Sequence, residues 1–214
     1  MKLPVLKIGN LVAEIPIVQG GMAIRLSTAR LAAAVASEGG IGLIAASGMK
    51  FDELRKEIRL ARELTGGKGI IGINAMVAAR EFLGLITTAA EEKVDLIVAG
   101  AGFSRDMFAV GRKYGVAIVP IVSSVKLAKI AEQLGASAIV AEGTEAGGHL
   151  GTQQSIKEIL PEIVKAVQIP VIAAGGAVTG QDIAELLKLG ASGVQMGSRF
   201  AASEESNGAD ELKQ

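Results

Sequence analysis

The chain has 214 residues, half of them hydrophobic, so it can bury a substantial core and disorder is not expected. Its 22 Lys and Arg balance 22 Asp and Glu, and basic residues do not cluster in a run, which argues against nucleic acid as a partner. Cysteine is absent, which excludes disulfides and thiolate chemistry, and no signal-like or membrane-length apolar segment is present, so we expect a cytoplasmic protein without membrane contact.

Short apolar segments alternate with amphipathic segments of helical period along the whole chain. Aromatic residues make up only 3%, whereas glycine occurs 28 times, a composition that suits buried parallel strands joined to helices by tight turns. In chain order the pattern predicts eight strands, at residues 15–19, 41–45, 70–74, 96–99, 116–119, 138–141, 171–173 and 193–196.

Seven segments with a period near that of the α-helix lie between these strands. Gly115 and Gly135 follow the fourth and fifth of them and suit the left-handed conformation that commonly ends a helix. Helices that cross from each strand to the next imply a parallel sheet. The predicted helices cover residues 27–37, 51–64, 79–92, 104–113, 125–134, 155–167 and 180–187.

The regular strand spacing favours a closed TIM (β/α)8 barrel over an open, doubly wound sheet. No linker or low-complexity segment divides the chain, so residues 1–214 are interpreted as one domain. The chain is shorter than the roughly 250 residues typical of this barrel, and the shortfall lies after Met196, where an eighth helix can begin but not finish. We therefore expect the eighth strand to lack its outer cover, because the chain is truncated or because a partner provides it.

Glycines cluster after the first, sixth, seventh and eighth strands, at the face of the barrel where reactive loops lie. Gly175 and Gly176 follow the seventh strand, and Gly197 and Ser198 follow the eighth. Backbone N–H groups without a neighbouring Cβ, together with a hydroxyl, can bind a phosphate there. The alternative is that these glycines only form tight turns.

The first and third strands end in residues that suit a planar ligand. In QGGM, residues 19–22, the glycines allow close approach to the backbone and Met22 offers an adaptable apolar contact, although a tight turn would also explain them. Asn74 offers an amide to ring heteroatoms, or it ends the strand for reasons of turn geometry.

His149 is the only histidine and lies in the glycine-rich segment after the sixth strand. Imidazole titrates near neutral pH, so His149 can exchange a proton with a substrate; the alternative is a surface or structural histidine. Glu142 and Glu145 flank the same segment and can accept hydrogen bonds from a sugar or ribityl chain, or they are solvated acids. One histidine, no cysteine and no calcium-loop spacing predict no metal site.

Five motifs in this order resemble the FMN-dependent nitronate monooxygenases, formerly called 2-nitropropane dioxygenases. The superfamily also contains the flavin-dependent enoyl-acyl-carrier-protein reductase II. The resemblance extends over essentially the whole chain. The motifs are PIVQGGM (16–22), GIN (72–74), AEGTEAGGHLG (141–151), IPVIAAGG (169–176) and QMGSRFAASEES (195–206).

The resemblance implies a TIM barrel that binds FMN non-covalently, with the phosphate on the loops after the seventh and eighth strands. His149 corresponds to the catalytic histidine of the family. The implied ring and ribityl contacts are Gly21, Met22, Asn74, Glu142, Gly147 and Gly148. The implied phosphate contacts are Ala174, Gly175, Gly176, Gly197 and Ser198.

Two departures from the family pattern bear on activity. Ser198 stands where the family usually has Thr, which keeps the hydroxyl, and family members continue well beyond this C-terminus, in a region that helps to wall the substrate pocket. We expect a nitronate monooxygenase that uses O2. The alternatives are an NAD(P)H-dependent enoyl-acyl-carrier-protein reductase and a flavin-binding fragment without turnover, and the family suggests a homodimer.

Overall fold

The computed structural model describes residues 3–147 and 152–208, and its central element is a closed barrel of eight parallel strands. Strands β3 to β10 follow one another around the barrel in chain order, and β10 pairs with β3. This confirms the predicted TIM (β/α)8 barrel. The strands are β1 (Leu6–Ile8), β2 (Leu11–Ala13), β3 (Ile17–Gln19), β4 (Ile41–Ala45), β5 (Ile70–Met76), β6 (Leu96–Gly100), β7 (Ala117–Val122), β8 (Ile139–Glu142), β9 (Val171–Ala174) and β10 (Gly193–Met196).

Helices cover the outside of the barrel, and their bounds follow the predicted segments closely. As predicted, α5 and α6 end at Gly115 and Gly135, which have φ of 70° and 96°. The helices are α1 (Ala23–Leu26), α2 (Ala29–Ser37), α3 (Phe51–Leu64), α4 (Phe82–Glu91), α5 (Arg105–Tyr114), α6 (Val125–Leu134), α7 (Ile156–Ala166), α8 (Gly180–Lys188) and α9 (Ser198–Ala201).

Two helix starts differ from the prediction. The predicted helix at 27–37 begins at Ala29, because the buried Ser27 hydroxyl accepts a hydrogen bond from Met22 N–H and separates α1 from α2. The predicted helix at 79–92 begins at Phe82. Turns precede it, with the Ala79 N–H bonded to the Met76 carbonyl and the Phe82 N–H bonded to the Ala79 carbonyl.

The antiparallel hairpin β1–β2 was not predicted, and it closes the N-terminal end of the barrel. Leu6, Ile8 and Ala13 are buried and join the cluster formed by the inward-facing side chains of the barrel strands. A Cβ at Gly193 would lie 2.9 Å from the Leu6 side chain, so the hairpin packs directly beneath β10. The barrel interior is therefore a packed core whose N-terminal end is covered by the hairpin.

The expectation that the eighth barrel strand lacks an outer cover is wrong for the outward side chains of β10. Val194 is fully buried and Met196 is 7% exposed, and both belong to the outer cluster between barrel and helices, where Phe200 of α9 also packs. The chain after α9 then turns back, and the Asn207 N–H bonds the Leu26 carbonyl at 3.2 Å. The chain after the short eighth helix thus contacts the C-terminal end of α1.

Within the described residues no helix has both the length and the apolar character needed to cross a membrane.

Candidate functional site

The inner wall of the barrel becomes polar at the C-terminal ends of the strands. Glu142 pairs with Ala174, and Ala174 pairs with Gln195, so these three residues form a row across β8, β9 and β10. Val140 and Ile172, two residues earlier on their strands, belong to the inner cluster, so the period of two directs this row inward as well. Two of its three side chains are polar, at the face where the sequence predicts the ligand.

Asn74 of β5 and Gly21, which follows β3, are brought into direct contact. The Asn74 Nδ2 donates a hydrogen bond to the Gly21 carbonyl at 3.2 Å. A Cβ at Gly21 would overlap the Asn74 Cβ and would lie 3.2 Å from its Cγ. Glycine is therefore required at position 21 by the close approach of Asn74, a packing reason that the sequence pattern does not reveal.

The start of the loop after β3 is fixed by buried polar side chains. Gln19 is fully buried, and its Oε1 accepts a hydrogen bond from the Leu43 N–H at 3.1 Å. The Ser27 Oγ accepts one from the Met22 N–H at 3.0 Å. A Cβ at Gly197 would lie 3.5 Å from the Met22 Sδ, so Met22 lies beside the loop that follows β10.

The predicted phosphate-binding residues lie on adjacent loops after β9 and β10. Gly175 and Gly176 have φ of 126° and 70°, conformations that residues with a Cβ rarely adopt. Gly197 is the N-cap residue of α9, so no side chain caps the N–H groups at the start of this helix. Ser198 is the first residue of the helix. These positions present backbone and hydroxyl groups together, as binding of an anion requires.

The neighbouring helix α8 has a capping box at its N-terminus. Asp182 accepts hydrogen bonds from the Val178 N–H, the Thr179 N–H and the Thr179 hydroxyl, at 3.0, 2.7 and 2.8 Å. The hydrogen bonds from the Thr179 and Val178 backbone hold the pKa of Asp182 below its ordinary value.

Gln195 is a candidate site residue that the sequence-based reasoning missed. Its Oε1 is a buried side-chain oxygen that accepts no hydrogen bond from the residues that the structure describes. Its side chain lies 3.3 Å from the position a Cβ would take on Gly20. Buried acceptors are normally paired, so an unpaired one beside the glycine loops indicates a ligand donor. The available signal was a glutamine at an inward position of an otherwise apolar strand.

The remaining predicted residues lie in the segment after β8. Glu142 ends that strand and is partly buried, and Gly147 is exposed, with nothing within 4 Å of the position a Cβ would take. Gly148 and His149 lie outside the described residues. Their roles stay predictions.

The described groups fit FMN, the cofactor that the resemblance implies. Gly175, Gly176 and Gly197 supply a cradle with little side-chain bulk, while the Asn74 amide and the unpaired Gln195 Oε1 match the polar edge of a flavin ring. Among residues 3–147 and 152–208, no three His, Cys, Asp or Glu side chains are grouped as metal ligands.

The chain is similar to known proteins over most of its length. The sequence profile of nitronate monooxygenases matches residues 6–84 and 70–214. A probable nitronate monooxygenase of Staphylococcus aureus (strain Newman) is 32% identical over 245 residues, covering 94% of this chain and 68% of that protein. The (3aS,4S,5R,7aS)-5-hydroxy-7a-methyl-1-oxo-octahydro-1H-indene-4-carboxyl-CoA dehydrogenase of Rhodococcus jostii (strain RHA1) is 34% identical, covering 92% of this chain and 55% of that protein.

Solved structures show the same likeness. FabK from Thermotoga maritima superposes with a TM-score of 0.85 and 40% identity, over 90% of this chain and 61% of FabK. A nitroalkane oxidase from Streptomyces ansochromogenes superposes with a TM-score of 0.83 and 30% identity, over 91% of this chain and 68% of that protein. The chain thus spans between about half and two thirds of the length of these relatives.

Proposed function

The chain belongs to the nitronate monooxygenase family, whose members depend on FMN, and from that premise we propose that it binds FMN at the C-terminal face of the barrel and oxidises alkyl nitronates with O2. The unpaired Oε1 of Gln195 carries the proposal, because it is a buried acceptor beside Gly20 and in register with Ala174, one of the predicted flavin contacts.

Each group of residues has a distinct task in the proposed site. The cradle for the phosphate consists of the loop residues after β9 and β10, where backbone N–H groups and the Ser198 hydroxyl donate hydrogen bonds. Gly21 and Met22 contact the face of the ring, while Asn74 and Gln195 hold its polar edge. The fully buried Gln19 keeps the first of these loops in place.

When bound, FMN would supply the acceptor and donor of electrons, a chemistry that no side chain provides. The protein's own residues bind and orient the reactants and move protons. We assign proton exchange with the substrate to His149, since imidazole changes its protonation near neutral pH and the chain has no second histidine. A packed barrel interior below the site limits access of water to the ring from that side.

Replacing Gln195 with leucine should separate folding from ligand binding. Leucine has a similar size and removes an unpaired buried oxygen, so the free energy of unfolding of the apoprotein should stay equal or rise. The dissociation constant for FMN should rise about tenfold, since a hydrogen bond to the flavin is lost. Flavin fluorescence titration and thermal unfolding of the apoprotein measure the two effects.

Gln133→Leu is the matched control, because Gln133 is an exposed residue near the C-terminal end of α6. That end of a crossover helix lies at the opposite face of the barrel from the C-terminal ends of the strands. It should leave FMN affinity unchanged. A Gln195→Leu protein that binds FMN like the wild type would remove the observation on which the proposal rests.

Reduction of an enoyl thioester is the second candidate, and one specific observation favours it. FabK, the enoyl-acyl-carrier-protein reductase II, is 40% identical to the chain, whereas the probable nitronate monooxygenase is 32% identical. Both activities use the same barrel face and one proton-transfer residue, so the electron source distinguishes them. A reductase must accept electrons from NADH or NADPH, whereas a nitronate monooxygenase receives them from its substrate.

Anaerobic absorbance measurements on the FMN-reconstituted chain test both candidates. Bleaching of the flavin by propionate 3-nitronate, reversed by O2, would support nitronate oxidation. Bleaching by NADH or NADPH, reversed by an enoyl thioester, would instead establish the reductase. Bound FMN that neither reagent bleaches would identify a flavin-binding chain without turnover.

A further inference from the structure

Glu145 contacts two neighbouring parts of the site, the start of α7 and the glycine loop after β9, although it follows none of the barrel strands directly. We propose that Glu145 is a positioning residue for FMN: its side chain locks the segment after β8 to the start of α7 and to the glycine loop after β9. The inference rests on the proposed function, because it concerns the same flavin site.

The first contact joins Glu145 to the N-terminus of α7. Both carboxylate oxygens accept from the N–H of Ile156, the first residue of the helix, at 3.3 and 3.0 Å. The helix has its own capping box, in which the Ser155 Oγ accepts the Glu158 N–H and the Glu158 carboxylate accepts the Ser155 N–H. Glu145 thus binds an N–H group that the capping box leaves over.

The second contact joins Glu145 to the glycine loop after β9. A Cβ at Gly143 would lie 2.5 Å from the Glu145 Oε2, and one at Gly175 would lie 3.4 Å from the same oxygen. A Cβ at Gly176 would lie 3.5 Å from the Glu145 Cβ. Glu145 therefore packs on Gly175 and Gly176, two predicted phosphate contacts, whereas the space at Gly143 is also closed by the backbone of Ile156.

Backbone hydrogen bonds place this side chain at the base of the segment that contains His149. The Gly143 N–H bonds the Ala174 carbonyl at 3.0 Å, which ties the segment to β9. The Thr144 N–H bonds the Gln154 carbonyl at 2.9 Å, which brings the two ends of residues 144–154 together. Glu145 follows immediately, so its contacts hold the start of this segment, at residues 143–145, against α7 and β9.

The negative charge of Glu145 weakens the binding of a phosphate, whereas its contacts with α7 and the glycine loop strengthen it by holding the loop in place. A carboxylate beside Gly175 and Gly176 repels a phosphate on the same loop, and the partial positive charge at the start of α7 offsets that repulsion only in part. Glutamine keeps the shape and one acceptor oxygen but removes the charge. The contacts and the charge can therefore be separated by substitution.

Three variants of the FMN-binding chain test the proposal by fluorescence titration. Glu145→Ala should raise the dissociation constant for FMN about tenfold, since it removes the hydrogen bonds to Ile156 and the support of both glycines. Glu145→Gln should bind FMN at least as tightly as the wild type. Glu158→Ala is the matched control: it removes a cap from the same helix end but its carboxylate bonds only Ser155 among the described contacts, so FMN affinity should stay unchanged.

Thermal unfolding of the three apoproteins supplies the readout for a purely structural role. Glu145→Ala and Glu158→Ala should lower the melting temperature to a similar extent, because each removes one helix cap. Equal FMN affinity of Glu145→Ala and wild type would overturn the inference. The inference would also be overturned if Glu158→Ala lost as much FMN affinity as Glu145→Ala, or if Glu145→Gln bound FMN as weakly as Glu145→Ala. A wild-type chain that does not bind FMN would instead contradict the proposed function itself.

Discussion

Replacing His149 with alanine is expected to lower turnover about 10²- to 10⁴-fold while FMN stays bound, the range typical for loss of a general acid or base. His149 is the only imidazole of the chain, so no other histidine can take over the proton transfer. Turnover is measured with whichever substrate bleaches or reoxidises the flavin, and FMN affinity is measured in parallel by fluorescence titration.

Two further results decide how the loss is interpreted. The pH dependence of turnover should lose the limb that the imidazole contributes in the wild type. His149→Gln keeps a hydrogen-bonding side chain without an acid–base role and should be as impaired as His149→Ala. A His149→Gln enzyme with near wild-type turnover would show that position 149 only positions the substrate.

Each of the predicted barrel strands and helices occurs in the structure, with bounds that differ from the prediction by at most three residues. The bounds of β4, α3 and α6 coincide with the predicted segments 41–45, 51–64 and 125–134. In each case a continuous apolar or amphipathic pattern ends at a change of composition, so local sequence and tertiary packing favour the same element. Agreement of this kind is expected where burial on a regular scaffold decides the structure.

The hairpin β1–β2 could not be predicted, because its strands are only three residues long. Alternation over three residues does not distinguish a strand from a loop. What stabilises the hairpin is burial of Leu6, Ile8 and Ala13 against the inner side of the barrel, a contact between distant parts of the chain. Such contacts are set by the closed barrel and not by the local sequence.

In the candidate site, the sequence indicated loops that the barrel brings to one face, but it did not give the reasons for their residues. From its position in the sequence, Glu145 could be either a solvated acid or a contact of the ribityl chain. In the structure its carboxylate accepts a hydrogen bond from Ile156 and packs on glycines of the next loop. Gln195 stood within a recognised motif, yet only the barrel shows that its side chain faces inward beside Gly20. Both roles depend on contacts between neighbouring loops, which a single sequence does not display.

Gly21→Ala is expected to damage both folding and flavin binding. The new Cβ would overlap the Asn74 Cβ, so Asn74 or the loop after β3 must move. We expect the free energy of unfolding to fall by about 1–3 kcal/mol, as for other overpacked sites. The dissociation constant for FMN should rise by more than about tenfold, because the shift breaks the hydrogen bond between the Asn74 Nδ2 and the Gly21 carbonyl and displaces two ring contacts.

A double-mutant cycle with position 74 tests the collision directly. Asn74→Ala keeps the Cβ, so adding Gly21→Ala to it should lower the free energy of unfolding as much as in the wild type. Asn74→Gly removes the Cβ, so adding Gly21→Ala to that variant should have little further effect on the free energy of unfolding. Gly180→Ala serves as the control, because nothing lies within 4 Å of its added Cβ and alanine suits a helix. Gly21→Ala would contradict this prediction if it lowered the free energy of unfolding equally in the Asn74→Ala and Asn74→Gly variants. The loop after β3 would then move instead of Asn74, and the ring contact would be set by the backbone of that loop alone.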